Sequence, residues 1–117
     1  MTNRTVDIHV DTLDAMGARF IDAWKRAERG EAFEERHITV LDLSALTSLL
    51  SAKRLELLRH VRRAGGAASI LALSQALGRD YKRVHTDVRA LEAAGLLRQE
   101  DGRLVAPFDA VRTEVAL

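Results

Sequence analysis

Five side chains between Lys82 and Arg89 have the types and spacing to grip a polyanion. Lys82, Thr86 and Arg89 stand at i, i+4 and i+7, with Arg83 and His85 flanking them. On a helix over residues 81–94 all five fall on the side opposite Tyr81, Val84, Val88 and Leu91. Arginine and lysine pair with guanine O6 and N7 or with phosphates, and threonine meets a base edge or a thymine methyl. The chemistry this face would do is recognition of DNA in the major groove. Asp87 sits near the same face and is expected to mark an edge of the footprint, because phosphate repels it. Arg98 and Arg103 flank the Asp101-Gly102 pair, a strong signal for a tight hairpin turn. They are placed to meet backbone phosphates or the adjacent minor groove.

Other chemistries find no support in the residues. The four histidines (9, 37, 60 and 85) include no i, i+4 pair and the chain has no cysteine, so no metal site is expected. No serine–histidine–aspartate order, phosphate-binding loop or dinucleotide glycine pattern occurs. No catalytic residue and no cofactor is expected, and the protein reads as a binding protein, not an enzyme. At 117 residues, with 47% hydrophobic and 30% charged residues, it has the composition of a single globular domain. The absence of an 18-residue apolar run argues against a membrane span. The acidic start argues against a signal peptide. The expected location is the cytoplasm.

The net charge of +1 conceals an asymmetry. Residues 1–50 hold six Lys/Arg and nine Asp/Glu, whereas residues 51–117 hold twelve and eight. From Lys53 to Arg89 the count is nine basic to three acidic. A basic half points to a polyanionic partner.

The elements that must position the basic face read as follows. Residues 5–10 alternate, with Val6, Ile8 and Val10 on one side, as in a half-buried strand. Residues 11–30 follow as an amphipathic helix on which Leu13, Met16, Phe20, Ile21 and Trp24 recur at spacings of three and four. Residues 37–43 are β-branched enough for a second strand. Ser44 then caps a short helix through Leu50. Ser51 opens a helix whose buried face is Leu55, Leu57, Leu58 and Val61, stopped by Gly65-Gly66, with Lys53, Arg54, Arg59, Arg62 and Arg63 outward. Ser69 caps a helix carrying Ile70, Leu73 and Leu77, and Gly78 ends it. A turn of about three residues then leads to Asp80, the cap of the basic helix, which is the short connection a helix-turn-helix needs. Residues 96–107 form a hairpin closed by Pro107. The alternation of residues 108–117 reads as a closing strand, either paired with the N-terminal half or offered to a partner.

From Leu46 onward the chain resembles a family of short predicted transcriptional regulators with a MarR-like winged helix. These are TumA-type antitoxins encoded beside TumE-like toxins. The matching runs are LTSLLSAKRLELLRHVRRAG, LSQALGRDYKRVHTDVRALEAAGLL and EDGRLVAPFDAVRTEVAL, of which GRDYKRVHTDVRALEAAGL is the most specific. Ala52 departs from the family, which often has proline there. Alanine serves equally well in a first helical turn. The resemblance implies an antitoxin that represses its own operon and holds a small toxin inactive.

The expected fold is α+β and mostly helical, a winged helix-turn-helix with an N-terminal strand–helix–strand extension. Residues 1–45 would form the extension, used for dimerisation or partner contact, 46–107 the DNA-binding domain, and 108–117 the closing strand. DNA-binding residues would be Lys82, Arg83, His85, Thr86, Arg89, Arg98 and Arg103. Phe20 and Trp24 would pack in the core or bury a homodimer interface. The expected function is a sequence-specific regulator binding double-stranded DNA at its own operator. The alternative is a winged helix used as a protein-interaction module without DNA.

Overall fold

The parallel sheet at the chain's two ends has three strands and brackets a helical unit in sequence. The computed structural model describes residues 4–10, 21, 24, 36–40 and 42–117. Two units separate, Met1–Thr47 with Ala110–Leu117, and Ser48–Asp109. The protein is α+β, with four helices and several strands among the described residues.

In the first unit, β1 (Thr5–Val10) is central, with β2 (Arg36–Val40) on one edge and β5 (Ala110–Val115) on the other, all parallel. The period-two alternation gives β1 two unlike faces. Val6 and Ile8 are fully buried and Val10 nearly so, while Thr5, Asp7 and His9 share the opposite face. The closing strand thus pairs with the N-terminal half, along the whole of β1. The helix expected over residues 11–30 lies outside the described residues except for Ile21 and Trp24, both helical. A short helix, α1 (Leu43–Leu49), follows β2 and buries Leu46. Its cap is Asp42, whose Oδ1 accepts from the Ala45 N–H at 2.7 Å, two residues earlier than the expected Ser44.

The Ser48–Asp109 unit is built from α2 (Ala52–Ala64), α3 (Ile70–Leu77), α4 (Tyr81–Ala93) and the hairpin β3 (Arg98–Glu100) and β4 (Arg103–Val105). Local chemistry sets each helix end. The side chains of Ser51, Ser69 and Asp80 accept from the N–H groups of Arg54, Ala72 and Arg83, satisfying donors the first turns leave open. Gly78 ends α3 in the left-handed region (φ 63°), and the Arg79 N–H reaches back to the Ser74 carbonyl at 3.0 Å. Gly78, Arg79 and Asp80 are therefore the entire connection between α3 and α4. Leu57, Val61, Leu73, Val84, Val88, Leu91, Leu96, Leu97 and Leu104 make the core, each at most 2% exposed. No helix among the described residues is long and apolar enough to cross a membrane.

The segment between α2 and α3 is tied to the hairpin. Ala67 and Leu104 exchange two backbone hydrogen bonds of 2.8 and 2.9 Å. Gly66 precedes this bridge at φ 124°, and a Cβ there would lie 3.0 Å from the Leu104 carbonyl oxygen, the acceptor of that bridge. Gly66→Ala is expected to cost about 1–2 kcal/mol through backbone strain and loss of the bridge. A lowered urea midpoint with unchanged slope would report it.

Candidate nucleic-acid interface

The stripe Val84, Val88 and Leu91 is fully buried, which turns the opposite side of α4 to solvent. Lys82, Arg83, Thr86 and Arg89 are exposed there, and His85 is half-buried. Lys82 and Arg83 have no carboxylate partner among the described residues, so their charge stays available. Arg89 is paired with Glu92 at 3.1 Å, an exposed i,i+3 contact that costs little to exchange for a phosphate. The Thr86 hydroxyl donates to the Lys82 carbonyl at 3.0 Å, satisfying its hydrogen within the helix.

Tyr81 does not face inward as its spacing suggests. It is 45% exposed, and its ring lies tilted against His85 with centroids 5.9 Å apart. Position explains this: Tyr81 is in the first turn, beyond the end of the buried stripe.

In the hairpin, Asp101 (φ 52°) and Gly102 (φ 77°) both take the left-handed conformation that a two-residue turn of this hand requires. Arg98 donates to Glu100 through Nε at 3.2 Å and through Nη2 at 2.9 Å. Arg103 is exposed and its guanidinium lies beside Gly66, without a carboxylate partner among the described residues. On α2, exposed Arg59 and Arg63 line a groove of about 640 Å³ with His60, Glu56 and Leu77. Arg62 instead folds onto the end of the hairpin, donating to the Ala106 carbonyl at 3.1 Å and to the Asp109 carboxylate.

Asp87 corrects the sequence expectation. Its carboxylate receives Arg54 Nε at 3.0 Å and Arg79 Nη2 at 2.7 Å, with all three side chains under a fifth exposed. Asp87 is therefore neutralised within the protein and does not mark a repulsive edge. Arg54 also donates to the Ser48 carbonyl at 2.6 Å, so it braces α2 against α4 and does not stand in solvent.

Of the two aromatic residues expected at a core or dimer surface, Phe20 lies outside the described residues and Trp24 is helical and 59% exposed. Linear spacing also missed a grouping in the parallel sheet, where one ligand atom from each of Asp7, His9 and His37 lies within 4.8 Å of the others. The strand register could have revealed it had the pairing been known: Asp7 is opposite His37, and His9 is two residues along on the same face.

These features define an α+β protein whose helical unit presents one basic helix face beside a basic hairpin. The chain belongs to the HVO_A0114 family, whose model matches residues 49–113 and so covers the helical unit and the start of β5. No curated protein and no solved structure matches it.

Proposed function

We propose that the Ser48–Asp109 unit is a winged helix-turn-helix that binds double-stranded DNA sequence-specifically, making the protein a transcriptional regulator of its own operon. In this reading α3, the Gly78–Asp80 turn and α4 form the helix-turn-helix, and α4 enters the major groove. Lys82, Arg83, His85, Thr86 and Arg89 meet base edges and phosphates. The β3–β4 hairpin is the wing, with Arg98 and Arg103 on the backbone. The observation that carries the reading is the solvent face of α4, where Lys82 and Arg83 stand without carboxylate partners opposite a fully buried apolar stripe. Asp87 is consumed by two arginines and Glu92 is paired with Arg89, so the uncompensated charge on this face is that of Lys82 and Arg83.

The resemblance of residues 46–117 to TumA-type antitoxins supports the narrower role. The regulator acts in the cytoplasm as a homodimer, and it neutralises a small toxin encoded beside it. It needs no cofactor and catalyses no reaction.

The experiment is a fluorescence-anisotropy titration with the upstream region of its own operon and with a scrambled duplex, at two salt concentrations. The expected result is a preference of about 10³-fold or more for the upstream DNA. Equal, weak and steeply salt-dependent binding to both would reduce the face to a basic surface. It would move the assignment to a winged helix that binds an acidic protein.

A further inference from the structure

We propose that the polar face of the three-stranded sheet is a binding site for a divalent transition-metal ion, Zn²⁺ in the first instance, held by Asp7, His9 and His37. The inference is independent of the DNA reading and concerns the other unit of the chain.

The parallel register builds the site. Asp7 and His9 are two residues apart on β1 and so share one face, and Asp7 pairs across to His37 on β2 and to Arg112 on β5. His9 pairs across to Glu114. The side chains follow that pattern. His9 Nε2 and His37 Nδ1 share a hydrogen bond of 2.8 Å, the two rings are stacked with centroids at 5.0 Å, and the Asp7 carboxylate completes a set within 4.8 Å. A tetrahedral zinc ion with bonds of 2.0–2.1 Å places its ligand atoms about 3.3 Å apart. The ion would replace the hydrogen bond between the two imidazole nitrogens, which would part by about 0.5 Å, and the Asp7 carboxylate would turn toward them to close the third position.

The surroundings have the form of an outer shell. Glu114 Oε1 lies 3.7 Å from His9 Nδ1, on the side of the ring away from His37. A negative charge on that side favours the tautomer with hydrogen on Nδ1, in which Nε2 is the acceptor turned toward His37. Arg112 Nε donates to Asp7 Oδ1 at 3.1 Å, an exposed contact that the carboxylate can exchange as it turns to an ion. His9 is 5% exposed, which holds its ring in place, while a cavity of about 310 Å³ beside Asp7, His9 and Glu114 gives an ion a way in. Two imidazoles and one carboxylate suit Zn²⁺ and its neighbours. Ca²⁺ and Mg²⁺ prefer oxygen alone, and Cu⁺ prefers the thiolates this chain lacks. Three protein ligands leave the fourth zinc position to water.

The test uses the tag-free full chain, stripped of metal and titrated with Zn²⁺ against a chromophoric chelator, with Co²⁺ as the spectroscopic substitute. The expected result is about one equivalent of Zn²⁺ bound, an intense visible Co²⁺ band of the tetrahedral type, and a raised thermal midpoint on binding. His37→Ala, on an edge strand, and Asp7→Asn, which keeps an oxygen for Arg112, should each weaken Zn²⁺ binding by about 10–100-fold or more. His60→Ala, in the other unit, should leave it unchanged. Circular dichroism of each variant confirms that the fold persists. Absence of a tetrahedral Co²⁺ band, or equal Zn²⁺ affinity in wild type, His37→Ala and Asp7→Asn, would overturn the site.

Discussion

Asp87→Ala is expected to lower the stability of the Ser48–Asp109 unit by about 3–5 kcal/mol, the cost of stranding buried charge. The carboxylate is 14% exposed and faces two guanidiniums that are 18% and 16% exposed. Its removal leaves Arg54 and Arg79 facing each other across the gap with like charge and little water. Arg79 is the more sensitive of the two, because its Nη1 is already buried without a hydrogen-bond partner among the described residues. For a unit of this size, such a loss corresponds to a fall of more than about 10 °C in Tm. Asp87→Asn, which keeps an oxygen acceptor but no charge, should fall between wild type and alanine. A coupling test separates the ion cluster from simple packing. Adding Arg79→Met to Asp87→Ala should restore part of the lost stability, since one uncompensated charge leaves with it. A drop below about 1 kcal/mol for Asp87→Ala would show that the cluster is open to solvent and of little weight.

Asp87 also marks the limit of what the amino-acid order discloses. Features that depend on a few adjacent residues are largely legible, the cap of α1 being the exception, since Asp42 and not Ser44 supplies it. Ser51, Ser69 and Asp80 begin helices, Gly78 ends one, and Asp101-Gly102 turns a hairpin, because capping and turn chemistry act over three or four residues. The helical wheel likewise separates Val84, Val88 and Leu91 from Lys82, Arg83 and Arg89. It does not say whether Asp87, near the boundary of the two faces, looks toward solvent or toward a neighbour. That depends on Arg54, 33 positions earlier, and on the bend of the chain through Arg79. Asp7, His9 and His37 were illegible for the same reason. The alternation of β1 puts Asp7 and His9 on one face, but the approach of His37 follows from the pairing and register of parallel strands, of which spacing along the chain carries no trace. Tyr81 shows the converse, a periodic position at the start of a helix whose spacing suggests burial although the core ends before it.

Lys82→Ala combined with Arg83→Ala is expected to weaken binding to the operator by about 2–5 kcal/mol, while Arg103→Ala weakens all sequences about equally. The contrast follows from geometry. Lys82 and Arg83 project from the first turn of α4, the part of a groove-inserted helix that reaches base edges, and neither has a carboxylate to release. Losing them removes base contacts that the scrambled duplex never made, so discrimination between the two DNAs should shrink by about 10-fold or more. Arg103 leaves the hairpin exposed beside Gly66, away from α4 in sequence and on a different element. As a phosphate contact it should carry no preference, and its loss should lower the slope of log K against log salt by about 0.9. Arg98 should behave like Arg103 but more weakly, because Glu100 already holds its guanidinium at 2.9 Å and must be exchanged for phosphate. The two kinds of variant therefore predict different observables from one titration series. If the double variant lowered affinity for both duplexes in equal proportion, α4 would be lying along the backbone and something else would be reading the bases. If Arg103→Ala changed the preference and not the salt slope, the hairpin would be the reader.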